Sequence, residues 1–141
     1  MNIAYTAHAT ANGNGRNGLS ATDDGRITVT LATPTEMGGT GKGTNPEQLF
    51  ATGYAACYLG AMRYAAGQAK TDMPADANVT ANVSIGPRDD GKGFGLVIIM
   101  DVMLPGMPQE AADDLAARGH VVCPYSHSIH GNVDVTTNVH V

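Results

Sequence analysis

Residues 44–70 read TNPEQLFATGYAACYLGAMRYAAGQAK, a run long enough for several helical turns. The run opens with a helix-start signal, because Asn45 can cap a helix whose first residue is Pro46. Thr44 and Glu47 offer an alternative capping box at the same place. Both interpretations predict that a long helix begins here, and the other predicted elements lie on either side of it.

The middle of this helix carries almost no charge, since Arg63 is the only charged residue within residues 51–66. Such a composition is typical of a helix that is buried nearly all round. Gly53 and Gly60 lie four positions before and three positions after Cys57, and therefore share its helical face. We expect these small residues to admit another backbone or a substrate close to the sulfur. The helix is predicted to end near the close of the quoted run.

Strands are predicted on both sides of the helix, where apolar residues alternate with polar ones between turn residues. The predicted strands occupy residues 3–11, 27–31, 79–85, 94–104 and 133–141. Residues 23–25 and 88–93 are predicted hairpin turns, because they are rich in aspartate and glycine. The segment 94–104 is almost unbroken in its apolar character, so we expect that strand to be buried on both faces.

A second helix is predicted to open at Pro108 and to end at Pro124, with Gly119 weakening its interior. The resulting order of strands, helix, strands, helix and strand lacks the regular alternation of a parallel sheet. It predicts an α+β fold with long helices against antiparallel sheet. A chain of 141 residues is expected to form one domain, residues 1–141.

Charge and hydropathy argue against two classes of partner. The chain has a net charge of −5 and 8 scattered lysines and arginines, so nucleic acid and anionic membrane surfaces are not expected ligands. Its longest uncharged apolar stretch, residues 49–62, is shorter than the roughly 20 residues that span a bilayer. The first residues show no basic segment followed by an apolar one, so we expect a cytoplasmic protein whose thiols are kept reduced.

Two cysteines are the residues best suited to chemistry. Cys57 lies in the middle of the predicted helix and Cys123 in the segment VVCPYS, and either could be a buried unreactive thiol. Their separation excludes a Cys-x-x-Cys redox motif and a zinc ribbon. A different interpretation uses four potential ligands within eleven residues, namely His120, Cys123, His127 and His130. These residues would make the chain a non-catalytic protein that binds a metal ion or an apolar ligand.

Several spaced blocks of sequence occur in the same order as in a known family. The blocks are GRNG at 15–18, GTNPEQLFA at 43–51, GYAAC at 53–57, CPYS at 123–126 and GN at 131–132. Through these blocks the chain resembles, over essentially its whole length, the organic hydroperoxide resistance (Ohr) branch of the Ohr/OsmC family. The resemblance implies an OsmC-like fold, with antiparallel sheets and a long buried central helix, in an intertwined homodimer with two active sites at its interface.

The same resemblance implies a thiol-dependent peroxidase that reduces organic hydroperoxides, of the alkyl or fatty-acid type, to alcohols. Cys57 matches the peroxidatic cysteine and Cys123 the resolving one, which implies a Cys57 sulfenic acid followed by a Cys57–Cys123 disulfide. Arg16 matches the catalytic arginine, and Glu47 matches the carboxylate that pairs with it. The implied reductant is a dihydrolipoyl group on a partner protein. Neither a cofactor nor a metal is implied.

The chain departs from the family pattern at Tyr58, Gly119, His127 and His130, where other residues are more common. None of these is one of the four matched residues. We expect the departures to affect local stability near Cys123 and the shape of the pocket. A sister osmotically inducible OsmC-type peroxidase of the same fold is a second interpretation, although the CPYS block and the short chain favour the Ohr branch.

Overall fold

The computed structural model describes all 141 residues of the chain. It contains two compact units, residues 1–49 and residues 50–141. Each unit has a three-stranded sheet, and three α-helices complete the α+β class that the sequence predicts. The single domain over residues 1–141 stays a prediction. No helix of the chain is both long enough and apolar enough to cross a membrane.

The sheet of the first unit is antiparallel and has the strand order β1-β2-β3. β1 spans Ala9–Asn12, β2 spans Leu19–Thr22 and β3 spans Thr28–Thr30. The predicted hairpin turn lies between β2 and β3 and contains Gly25 at φ 70°, which confirms it. β1 is shorter than the strand predicted from Ile3, because β2 ends at Thr22, opposite Ala9, and no strand faces earlier residues.

Helix α1 spans Pro46–Ala69 and begins where the sequence predicts. The Gln48 backbone N–H donates to Asn45 Oδ1 at 2.9 Å, and the Asn45 backbone N–H donates to Gln48 Oε1 at 3.1 Å. Asn45 is therefore the cap, in a reciprocal capping box with Gln48. The alternative box with Glu47 does not form, because the Glu47 carboxylate accepts hydrogen bonds from Arg16 instead.

One side of α1 is exposed, so the prediction of a helix buried nearly all round is wrong for the single chain. The buried residues of α1 are Tyr54, Tyr58, Ala61, Met62, Ala65 and Ala66. On the other side Ala56 and Gly60 are exposed, and Tyr64 is 60% exposed. The low charge of the helix reflects its many alanines and glycines, which are compatible with either environment, and does not require complete burial.

The sheet of the second unit has the strand order β4-β5-β6. β4 spans Asn78–Pro87, β5 spans Phe94–Met103 and β6 spans Asp134–His140. β4 and β5 form the predicted hairpin, in whose turn the Arg88 N–H donates to the Gly93 carbonyl at 2.8 Å. β6 is parallel to β5, so the expectation of antiparallel sheet is wrong for this pair. A parallel pair needs a crossover connection, which the helices between β5 and β6 supply.

β5 is buried on one face only, which corrects the prediction of burial on both faces for residues 94–104. Ile98, Met100 and Val102 are fully buried in the core. Their neighbours face the opposite way, and Val97 and Ile99 are 53% and 41% exposed. Within the single chain, the core covers one face of this sheet, so an unbroken apolar run does not by itself indicate two covering layers.

Helix α2 spans Gln109–Val122, and α3 spans Pro124–Ile129. Pro124 ends α2 as predicted and also begins α3. Gly119 is buried within α2, where an added Cβ would lie 2.5 Å from Met62 Cγ and 3.1 Å from Tyr58 Cε2. The prediction that Gly119 weakens the helix is therefore incomplete, since glycine here allows α2 to approach α1 closely.

Candidate active site

In the first unit, Arg16 and Glu47 form an ion pair through two parallel hydrogen bonds. Arg16 Nη1 donates to Glu47 Oε2 at 2.8 Å, and Arg16 Nη2 donates to Glu47 Oε1 at 2.5 Å. The two side chains are 35% and 13% exposed. Hydrogen bonding from Arg16 holds the pKa of the Glu47 carboxyl below its usual value, and the same interaction raises the pKa of the guanidinium. Both groups are therefore ionised at neutral pH, and the paired bonds fix the direction of the guanidinium.

Arg16 lies in a short 3₁₀ turn, Gly15–Asn17, between β1 and β2. Gly15 has φ 54°, a conformation that glycine adopts at little cost. At Gly18 an added Cβ would lie 2.0 Å from the Asn12 carbonyl oxygen, so a side chain does not fit there. The GRNG block is therefore a tight turn whose glycines place Arg16 within reach of Glu47.

In the second unit, the sulfur atoms of Cys57 and Cys123 lie 3.6 Å apart, and both cysteines are free. Cys57 is on α1 and partly buried, whereas Cys123 has no exposed surface. A disulfide bond is about 2.05 Å long, so the sulfurs need to approach by only about 1.5 Å to bond. The fold thus brings together two thiols that are 66 positions apart in the sequence.

Cys123 is the single residue between α2 and α3, and this break determines where its sulfur lies. The Cys123 N–H donates to the Gly119 carbonyl at 2.9 Å and so closes α2, while the His127 N–H donates to the Cys123 carbonyl at 2.9 Å and opens α3. Cys123 itself has extended backbone angles. Pro124 favours this conformation, because its ring disfavours a helical preceding residue.

Burial raises the pKa of the Cys57 thiol and is the largest influence on it. A hydrogen bond from the backbone N–H of Tyr125 acts in the opposite direction, while the neighbouring Cys123 raises the pKa further. Within the second unit the balance favours the protonated thiol. Since the thiolate is the nucleophilic form of cysteine, reaction at neutral pH requires a cation near this sulfur.

Aromatic rings pack around the first turns of α1 in the second unit. Phe50, Tyr54 and Tyr125 form a cluster with ring centroids 5.8–5.9 Å apart. At Gly53 an added Cβ would lie 3.1 Å from the Tyr125 hydroxyl oxygen, so glycine makes room for a side-chain ring rather than for the predicted backbone or substrate. At Gly60 nothing within the chain lies within 4 Å of an added Cβ, so the close approach of a backbone or a substrate there stays a prediction.

A buried chain of hydrogen bonds, close to both cysteines, is absent from the sequence-based predictions. Tyr54 Oη lies 2.9 Å from Ser126 Oγ, Ser126 Oγ lies 2.9 Å from His120 Nδ1, and His120 Nε2 lies 2.8 Å from Thr137 Oγ1. Burial lowers the pKa of His120, which favours the neutral imidazole. Tyr54 is 72 positions from Ser126 and Thr137 is 17 positions from His120, and no local pattern links these residues.

The histidines around Cys123 do not form a metal site. No group of three or more histidine, cysteine, aspartate or glutamate side chains is placed to hold a metal ion. Both ring nitrogens of His120 are engaged by hydroxyl groups, and Cys123 faces Cys57. His127 and His130 instead line a cavity of about 600 Å³. The structure therefore does not support the metal-binding version of the non-catalytic alternative. The cavity keeps open the version in which the protein binds an apolar ligand.

Comparison with known proteins identifies relatives along nearly the whole chain. Residues 39–138 match the family model described as OsmC-like protein. An organic hydroperoxide resistance protein from Xanthomonas axonopodis pv. citri is 46% identical over 135 residues, which cover 95% of this chain and 93% of that protein. The organic hydroperoxide resistance protein OhrB of Bacillus subtilis is 37% identical over 131 residues, which cover 93% of this chain and 94% of that protein.

Solved structures agree with the sequence relatives. The crystal structure of an organic hydroperoxide resistance protein from Legionella pneumophila matches with a TM-score of 0.93 at 45% identity, covering 99% of this chain and 100% of that one. The predicted α+β, OsmC-like fold is thereby confirmed. Agreement in sequence, length and fold shows that this chain belongs to the OsmC-like protein family, in its organic hydroperoxide resistance branch.

Proposed function

We propose that this protein is a thiol-dependent peroxidase that reduces organic hydroperoxides, of the alkyl or fatty-acid type, to alcohols. The observation that carries the proposal is the 3.6 Å separation of the free sulfurs of Cys57 and Cys123, in a chain whose relatives are organic hydroperoxide resistance proteins. Two thiols at this distance can take up the oxidising equivalents of one peroxide as a disulfide.

The reaction begins when the Cys57 thiolate attacks one oxygen of the hydroperoxide. The O–O bond breaks, Cys57 becomes a sulfenic acid, and the other oxygen leaves as an alkoxide that takes a proton to give the alcohol. The Cys123 thiol then attacks the Cys57 sulfur, so that a disulfide forms and water leaves. An external dithiol returns two electrons in two exchange steps and restores both thiols.

Accessibility supports this division of roles between the two cysteines. Cys57 is partly exposed, whereas Cys123 has no exposed surface. A bulky hydroperoxide can therefore reach the first sulfur more readily than the second. Cys123 needs only a short movement to bond with Cys57, which suits it to the resolving step.

Arg16 supplies, in this proposal, the cation that the Cys57 thiol requires. A guanidinium keeps its charge at every pH at which cysteine reacts, and a nearby cation can lower a thiol pKa by about one unit or more. Glu47 holds the guanidinium in one plane through two hydrogen bonds. The same positive charge would stabilise the alkoxide that develops as the O–O bond breaks. The match of both residues to the family motif supports these roles.

The proposal includes a dihydrolipoyl-carrying protein as reductant, a homodimer and a cytoplasmic location. A dihydrolipoyl group is a dithiol, so one group can complete both exchange steps that reopen the disulfide. The homodimer is supported by apolar side chains that α1 and β5 leave exposed in the single chain. The net charge of −5 and the absence of a basic run support a protein without a nucleic-acid partner.

A peroxidase assay on purified protein tests the proposal. Cumene hydroperoxide and hydrogen peroxide are compared as substrates, each with dihydrolipoamide, a thioredoxin system or glutathione as reductant. We expect turnover of the organic hydroperoxide with dihydrolipoamide, and its loss in Cys57→Ser. Faster turnover of hydrogen peroxide would contradict the assigned substrate class. No turnover with any reductant would favour the apolar-ligand alternative.

A further inference from the structure

We propose that the hydrogen-bonded chain of Tyr54, Ser126, His120 and Thr137 sets how readily Cys57 and Cys123 close to a disulfide. This set of four residues is called the Ser126 chain below. The inference rests on the proposed use of the disulfide in peroxide reduction. It assigns a positioning role to residues that do not themselves react.

The Ser126 chain joins four elements of the second unit. Tyr54 is on α1, His120 on α2, Ser126 on α3 and Thr137 on β6. The three successive separations are 2.9, 2.9 and 2.8 Å. Tyr54 has no exposed surface and Ser126 is 8% exposed. The Tyr54–Ser126 bond is buried, so water competes little for it and its loss leaves a buried polar group unpaired. The two bonds of His120 are only part-buried, and all four residues line the cavity of about 600 Å³.

The link between Tyr54 and Ser126 connects the two cysteine-bearing segments. Tyr54 precedes Cys57 by three positions on α1, and Ser126 follows Cys123 by three positions. Tyr54 and Cys57 share a face of α1, whereas Ser126 lies in the first turn of α3, which Cys123 precedes as its N-cap residue. Tyr125, whose backbone N–H donates to the Cys57 sulfur, is the residue next to Ser126. Fixing Ser126 thus fixes the segment that contacts both sulfurs.

The buried position of Tyr54 favours one direction of hydrogen-bond donation along the Ser126 chain. If Tyr54 O–H donates to Ser126 Oγ, then Ser126 O–H donates to His120 Nδ1 and His120 Nε2–H donates to Thr137 Oγ1. The opposite direction leaves the buried tyrosine hydroxyl proton with no acceptor in the chain. A neutral His120 satisfies this arrangement. Its ring also packs on Tyr58, with centroids 4.4 Å apart.

Disulfide closure requires the sulfurs to move from 3.6 Å to about 2.05 Å. The Ser126 chain restricts the motion of α3 relative to α1, so that Cys123 stays at near-bonding distance from Cys57. Loosening the chain lets the sulfurs drift apart and lowers their effective concentration for each other. A hydrogen bond of ordinary strength changes an equilibrium constant by at most about fivefold, the limit reached when the bond is made in only one of the two states.

The redox equilibrium of the purified protein tests this inference. Wild type, Tyr54→Phe and Ser126→Ala are equilibrated in reduced and oxidised dithiothreitol buffers, and the Cys57–Cys123 disulfide is measured by thiol alkylation and mass. We expect Tyr54→Phe, which removes one hydroxyl, to shift the equilibrium toward the dithiol by more than twofold and at most about fivefold. Ser126→Ala removes two hydrogen bonds and should shift it further.

Tyr64→Phe is the matched control, because Tyr64 lies on the same helix and is 60% exposed. It should leave the redox equilibrium unchanged. A Tyr54→Phe equilibrium within twofold of wild type would overturn the inference, and the thermal unfolding of that variant shows that it is folded. The measurement uses no hydroperoxide, so a wild type that forms the disulfide but reduces no peroxide would refute the proposed function separately.

Discussion

Replacing Gly119 with alanine would place a methyl group between two buried side chains. Its carbon would lie 2.5 Å from Met62 Cγ and 3.1 Å from Tyr58 Cε2, and neither of these side chains has exposed surface. Carbon atoms in good contact are about 3.5–4.0 Å apart, so α2 or the two side chains must shift by about 1 Å.

Two opposing contributions decide the outcome of this substitution. Alanine favours a helix over glycine by about 1 kcal/mol, whereas overpacking a filled core costs about 1–3 kcal/mol. Tyr58 cannot yield easily, because its hydroxyl donates to the Ala116 carbonyl at 2.7 Å and its ring packs on His120. The upper part of the cost range therefore applies, and we expect Gly119→Ala to lower the free energy of unfolding by about 1–2 kcal/mol.

Urea denaturation of the reduced protein at fixed concentration, followed by circular dichroism, measures this change. Gly67→Ala is the matched control, since Gly67 is exposed on α1 and an added Cβ there has no neighbour within 4 Å. That variant should gain about 0.5–1 kcal/mol. A Gly119→Ala protein as stable as wild type, or more stable, would refute the packing argument.

Cys57→Ser is expected to abolish peroxide turnover, whereas Cys123→Ser should be oxidised once and then stall. Counting thiols after one equivalent of hydroperoxide checks both, and repeated turnover by Cys57→Ser would contradict the mechanism. Arg16→Ala should raise the pKa of the Cys57 thiol by about one unit or more, and Glu47→Ala by less. The pH dependence of Cys57 alkylation measures these shifts, and unchanged profiles in both variants would exclude the pair from thiol activation. Burial lowers the folded-state pKa of His120, so the unfolded chain takes up a proton that the folded chain resists. The free energy of unfolding should therefore fall as pH decreases below about 6.5, and it should fall less steeply in His120→Gln than in wild type. Equal slopes of unfolding free energy against pH in the two proteins would contradict this prediction. Sedimentation should show a homodimer, and a folded monomer at micromolar concentration would count against it.

The start of α1 and the hairpins could be predicted from sequence, because local contacts determine them. Asn45 caps α1 by accepting a hydrogen bond from the backbone N–H of Gln48, three positions away. Gly25 adopts a turn conformation only a few residues from the end of β2 and the start of β3. Burial is different, since it depends on what packs against a segment. The exposed face of β5 and the exposed Tyr64 therefore differ from the sequence-based prediction.

The candidate site depends on long-range contacts, which sequence patterns alone do not specify. Arg16 and Glu47 are 31 positions apart, and Cys57 and Cys123 are 66 positions apart. Only the resemblance to a family indicated both pairs. The sequence indicates His120 only as a potential metal ligand. Its hydrogen bonds to Ser126 and Thr137 depend on the crossover that brings β6 beside β5.

The wide sequence separation of the two thiols has a consequence during protein synthesis. At about 5–20 residues per second, a ribosome needs about 3–13 s to extend the nascent chain across the 66 positions that separate Cys57 from Cys123. During that interval Cys57 has neither its resolving partner nor the backbone N–H of Tyr125. A sulfenic acid formed on Cys57 of the unfinished polypeptide cannot condense with Cys123 in the proposed way, and further oxidation to sulfinic acid is irreversible for most proteins. An oxidised Cys57 therefore lacks, during translation, the route back to a thiol that the finished fold is proposed to give it.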